Sequence, residues 1–71
     1  MEPSAQERAF GAEVERRRAA AGVTQEWVGR RIGLSRAKVS EIGHGVFLPS
    51  GQALDALVTA LAMDRERAAE L

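Results

Sequence analysis

The residues best placed to do chemistry fall in one ten-residue stretch, SRAKVSEIGH, from Ser35 to His44. Val39 and Ile42, three apart, would share the buried face of a short helix, and Ser35 has the side chain of an N-cap to open it. Ser35, Arg36, Ala37, Lys38, Ser40, Glu41 and His44 are then left on the surface. These are the side-chain types that recognise duplex nucleic acid. Arg36 and Lys38 can donate to guanine O6 and N7, Ala37 can meet a thymine methyl, and Glu41 can accept from cytosine N4 or orient Arg36. Ser35, Ser40 and the amides of a helix N-terminus can hold phosphates, and His44 is a surface or phosphate-contacting side chain. Taken singly, each is equally an ordinary exposed helix residue.

Catalysis finds less support. There is one His, no Cys, and no glycine-rich phosphate loop after a strand. Glu13 and Glu15, like Asp64 and Glu66, stand two apart on helices and do not face one another, which argues against an acid/base pair. A metal would need more than His44 plus an acid such as Glu41. The expectation is a binding protein rather than an enzyme, with no cofactor, no metal and no small-molecule ligand.

The elements that must position these side chains are legible around them. Thr24 can cap a helix over 25–32, with Glu26 in its first turn where the dipole favours an anion, and Val28 and Ile32 at i, i+4 as its apolar edge. Gly33 can take the left-handed conformation that ends it, and Leu34 can drop into the core as the contact of the cap. A second helix over 35–44 follows at once and is closed by Gly45. Two short helices joined by a glycine turn form a helix-turn-helix, in which the first turn of the second helix reaches base edges in the major groove.

With these residues in view, the stretch from Phe10 to about Leu61 resembles the lambda-repressor-like, Cro/C1-type (Xre) helix-turn-helix domains. The matching features are Arg18-x-x-x-Gly22, Val23-Thr24-Gln25-Glu26, Ile32-Gly33-Leu34-Ser35, Val39-Ser40-x-Ile42 and Gly45-x-x-x-Pro49-Ser50. The resemblance implies a compact all-α five-helix bundle that binds double-stranded DNA and regulates transcription. It implies that Gln25 contacts the DNA backbone or braces the recognition helix, with Arg36, Ala37, Lys38 and Glu41 facing the bases. In the family the arginine at position 18 commonly pairs with a glutamate in an Ile-Glu-x-Gly pattern. Here the pattern reads Ile42-Gly43-His44-Gly45, so Arg18 is expected to reach water, a backbone carbonyl or another acid, and Gly43 to weaken the last helical turn by about 1 kcal/mol.

Seventy-one residues suggest one domain, spanning 1–71, near the size at which one apolar core barely suffices. With 45% hydrophobic residues and three aromatics, the composition favours a helical bundle. No apolar run approaches membrane-spanning length and nothing resembles a secretory signal, so a cytoplasmic protein is the default. Net charge is zero, but its distribution is uneven: from Arg16 to Lys38 seven basic residues stand against the single acid Glu26. Residues 1–15 carry Arg8 against four acids, and 39–71 carry two arginines against five. A basic segment on the DNA-facing part is the electrostatic footprint of a nucleic-acid binder, although a charge run on a helix is commonly just a solvated face.

Taken in order, a lead-in over 1–5 precedes a helix over 5–21, with Phe10, Val14 and Ala21 as its buried stripe and Ser4 as its cap. Arg16 and Arg17 point to solvent or phosphate. Trp27 lies over the core edge or anchors an interface, and Gly29 lets two helices approach closely. In the loop Val46-Phe47-Leu48-Pro49, Leu48 is expected to plug the core, while Phe47 divides evenly between plug and partner contact. Ser50 caps a helix over 51–62 whose stripe is Leu54, Leu57, Val58 and Leu61. Asp64 caps a last helix over 65–71, which either finishes the bundle or leads into a further domain. One reader of this size touches few bases, so a homodimer on an inverted-repeat operator is expected, with Trp27, Phe47 and the outer faces of the last two helices as candidate surfaces. The alternative is a helix-turn-helix scaffold used as a protein-interaction module, for example as the N-terminal part of a larger regulator; zero net charge, the apolar loop and the missing glutamate at position 43 favour it.

Overall fold

The computed structural model describes residues 2–62, which form four helices: α1 (Ala5–Ala21), α2 (Gln25–Ile32), α3 (Arg36–Gly43) and α4 (Gly51–Ala60). The expected fifth helix, over 65–71, lies outside the described residues. No strand occurs among those described, so the all-α class stands.

Each of the first three helices starts where a side chain can satisfy its free amides. Ser4 and Glu7 form a reciprocal capping box on α1, with Ser4 Oγ accepting from the Glu7 amide at 3.1 Å and Glu7 Oε1 accepting from the Ser4 amide at 3.0 Å. Thr24 accepts from the Trp27 amide at 3.0 Å and Ser35 from the Lys38 amide at 3.2 Å. Ser50 departs from the expectation. It occupies the N-cap position of α4, yet its hydroxyl makes no capping bond, and Gly51 follows in a left-handed conformation (φ +56°). The first turn of α4 is thus entered through a left-handed residue and lacks the side-chain cap that opens the other three helices. At the far end α4 stops at Ala60, two residues earlier than expected, and Ala62 takes a left-handed φ of +53°.

The first two helices end on glycines. Gly22 and Gly33 adopt φ of +71° and +75°, and the Leu34 amide bonds back to the Gly29 carbonyl at 2.9 Å. The packing places α2 against both α3 and α4, and α1 against α3. Phe10, Val14, Val28, Ile32, Val39, Ile42, Leu57, Val58 and Leu61 form the buried core, with Val14, Val28, Val39, Ile42 and Leu57 fully enclosed. Burying a side chain of this kind contributes about 1.5–3 kcal/mol, so the two positions that α3 commits, Val39 and Ile42, tie it firmly to the rest. Ala21 is not part of the stripe; it is exposed together with residues 19, 20 and 22, because the last turn of α1 overruns the helices it packs on.

Two glycines set how closely the helices meet. A Cβ at Gly11 would lie 2.5 Å from the Ile42 carbonyl oxygen and 2.7 Å from that of Gly43, so α1 crosses the end of α3 at backbone distance. A Cβ at Gly29 would lie 2.5 Å from the Leu34 carbonyl oxygen. Gly29 therefore admits the turn itself rather than a second helix, and this packing fixes the angle between α2 and α3.

Candidate nucleic-acid interface

The α2–turn–α3 unit holds the first turn of α3 outward. Ser35, Arg36 and Ala37 are exposed, while Lys38, Ser40 and Glu41 are half-buried at the flanks of the Val39–Ile42 face. Six of the candidate contact residues thus share the outer side of one short helix, joined at its end by exposed His44. The His44 ring Nδ1 lies 2.8 Å from the Ser40 carbonyl oxygen. A carbonyl only accepts, so Nδ1 carries the proton and Nε2 is left outward as an acceptor in the neutral ring and a donor in the imidazolium. Gln25 stands half-buried at the start of α2, and Arg17 is on α1; neither hydrogen-bonds to α3 among the described residues.

The charges in this region are more compensated than their order along the chain suggests. Glu13, buried to 5% exposure, accepts from Arg16 Nη2 at 2.6 Å and from Arg17 Nε at 3.4 Å. The Arg16 hydrogen bond holds the Glu13 carboxyl below the usual carboxylate range, against the opposing effect of burial. Arg30 pairs with Glu26 at 2.7 Å, and Lys38 Nζ lies 3.3 Å from Glu41 Oε1. Arg31 lies over the Trp27 ring, 4.6 Å from its centroid. Arg36 makes no ion pair, hydrogen bond or ring contact among the described residues, and it is the basic residue of the segment most available to a ligand.

Arg18 finds two of the three partners expected of it, an acid and a backbone carbonyl. Its Nε and Nη2 donate to the two Glu15 oxygens at 3.0 and 3.2 Å, and its Nη1 donates to the Val23 carbonyl at 2.7 Å. The Glu15 hydrogen bond raises the Arg18 pKa further. Glu15 also explains Gly43: a Cβ there would lie 2.8 Å from Glu15 Cγ and 3.0 Å from Cδ. The acid missing from position 43 is supplied from α1, and the space beside Gly43 is filled by that acid. The signal for these pairings was present in the sequence, where Glu13 stands three and four residues before Arg16 and Arg17, and Glu15 three before Arg18.

A protein-family model described as a helix-turn-helix domain matches residues 9–71. The chain belongs to the helix-turn-helix domain family. Among solved structures, the clp gene regulator ClgR from Corynebacterium glutamicum superposes with a TM-score of 0.82 at 26% identity, covering 99% of this chain and 73% of that one. The restriction-modification controller protein C.AhdI from Aeromonas hydrophila superposes with a TM-score of 0.80 at 28% identity, covering 92% of this chain and 98% of that one. No curated protein matches the sequence. The resemblance to Cro/C1-type regulators therefore holds, and family and neighbours alike support transcriptional regulation through binding of double-stranded DNA. The relatives are regulators rather than enzymes. No helix among the described residues is long and apolar enough to cross a membrane.

After α3 the helix-turn-helix chain turns at Gly45 (φ +78°), where a Cβ would meet the Arg8 backbone at 3.1 Å. The Gly45 amide bonds to the Ile42 carbonyl and the Val46 amide to that of Glu41, both at 3.0 Å, which closes α3. Phe47 packs partly against the core, and Lys38 Nζ sits 4.6 Å from its ring centroid. The expected plug is corrected here. Leu48 is 53% exposed and Val46 58%, while Pro49 is buried. With Phe47 turned inward, side chains on either side of it in an extended segment point outward. Trp27 lies partly buried at the core edge.

Proposed function

We propose that this domain binds double-stranded DNA sequence-specifically, with α3 in the major groove, and acts as a transcriptional regulator in the cytoplasm. The observation that carries the reading is the outward first turn of α3, where exposed Arg36 has no partner among the described residues and stands beside Ser35 and Ala37. Arg36 would donate to guanine, Ala37 would meet a thymine methyl and Glu41 would accept from cytosine N4. Lys38 stands in the same turn. Ser35, Ser40, Gln25, His44 and Arg17 would serve phosphates or brace the helix. Residues 1–71 would act as one domain, and two copies would read an inverted repeat with half-sites about 34–36 Å apart.

The test is selection from a random duplex pool at moderate salt, with the wild type beside an Arg36→Ala variant. Recovery of a motif that the variant loses supports base reading by α3. If the wild type enriches nothing, the proposal fails. A protein-interaction scaffold is the second reading, favoured by the exposed Val46 and Leu48. It would show almost no duplex binding, whereas phosphate contacts release counterions and give a steep dependence on salt.

A further inference from the structure

The two cations in the first turn of α3 are not equivalent. Arg36 is exposed and unpartnered among the described residues, whereas the Lys38 ammonium is engaged twice, 3.3 Å from Glu41 Oε1 and 4.6 Å from the centroid of the Phe47 ring. Phe47 is itself fixed. Its ring packs against the core, and the loop that carries it is pinned by Gly45 against the α1 backbone and by the Val46 amide on the Glu41 carbonyl. Lys38 is thus clamped between a residue of its own helix and a residue of the following loop.

We propose, on the basis of the DNA-reading function above, that Phe47 is a positioning residue for base recognition. By holding Lys38 against Glu41 it keeps the lysine from donating to a guanine, and it leaves Arg36 and the second Glu41 oxygen to read the bases. The Phe47 side chain touches no DNA in this arrangement; it acts through Lys38. Phe47→Leu keeps apolar volume but removes the ring face, so Lys38 is released. At one base pair per half-site, enrichment of guanine then rises roughly two- to fivefold, the factor that a cation–π contact of this exposure represents. Phe47→Tyr keeps the ring and the wild-type preference.

The experiment is selection from a random duplex pool with wild type, Phe47→Leu, Phe47→Tyr, Lys38→Met and the Lys38→Met, Phe47→Leu double variant. It is paired with proton NMR of the Lys38 ε-methylene group, which the ring current shifts upfield in the wild type and Phe47→Tyr but not in Phe47→Leu. The new guanine preference should appear in Phe47→Leu alone and vanish in the double variant. Lys38→Met, at a half-exposed position, should lose no guanine preference; this holds the proposal to account even if Phe47→Leu does not fold. An unchanged motif in folded Phe47→Leu, a change shared by Phe47→Tyr, one that persists without Lys38, or a guanine preference lost in Lys38→Met overturns the proposal while the DNA-reading function stands. A wild type that recovers no motif overturns both.

Discussion

Replacing Gly11 by alanine sets two effects of known sign against each other. In a helix interior the change should stabilise by about 1 kcal/mol, since glycine loses more backbone freedom on folding. The new methyl, however, would stand 2.5 Å from the Ile42 carbonyl oxygen and 2.7 Å from that of Gly43, both backbone atoms at the end of α3. No flexible side chain can yield, so α1 must back away from α3 and loosen Phe10 and Val14 from the shared core. Overpacking of this kind costs about 1–3 kcal/mol and occasionally more. Because the clash is with two backbone atoms, the upper part of that range applies, and the net loss is about 1–2 kcal/mol after the propensity gain. For a domain of this size that lowers Tm by roughly 5–15 °C. Thermal melts followed by circular dichroism measure it, with Ala12→Gly, at an exposed position of the same helix, calibrating the propensity effect. A Gly11→Ala protein that melts at or above the wild-type temperature would refute the backbone-distance crossing of α1 and α3.

Three further outcomes follow from particular contacts. Gly43→Ala should destabilise more in the wild type than in a Glu15→Ala background, because the Glu15 side chain fills the space the methyl needs; urea titrations of the four-protein cycle measure the coupling, and strict additivity would count against it. Ser35→Ala should cost about 1 kcal/mol by removing a capping bond, while Ser50→Ala, which removes none, should stay within a few tenths. Glu7 and Glu13 are held below the usual carboxylate range, Glu7 by the Ser4 amide and hydroxyl, and Glu13 first by Arg16. Their contribution to stability is complete above the unfolded value near pH 4.3 and is lost as pH falls through the lower folded values. Stability should therefore hold between about pH 7 and 5 and decline below about pH 4.5, less steeply in Glu13→Gln; an unchanged acid limb in that variant would remove Glu13 from the cause.

The fold was legible where local chemistry and global packing agree. Ser4, Thr24 and Ser35 each precede a helix and bond its first turn, and Gly22 and Gly33 end the helices they follow. The outward set on α3 was legible for the same reason, since Val39 and Ile42 leave little choice of buried face. What spacing could not supply was the partner of each charge. Seven cations against Glu26 alone looked like a strongly basic strip, but Glu13, Glu15 and Glu41, which lie outside that segment in sequence, meet it in space. Gly11 was equally silent, because a glycine in a helix signals a close approach without saying to what. Leu48 and Ser50 went astray for backbone reasons: the loop turns Phe47 rather than Leu48 inward, and Gly51 enters α4 with a positive φ.

Base reading by the first turn of α3 is tested most directly by one comparison. Affinities of wild type and Arg36→Ala are measured by fluorescence anisotropy at fixed salt, on the selected site, on sites changed at single base pairs, and on unrelated duplex. Arg36→Ala should lose about 1–3 kcal/mol of discrimination at one base pair per half-site, with only a small change on unrelated duplex. Equal discrimination at every position by the two proteins would contradict it.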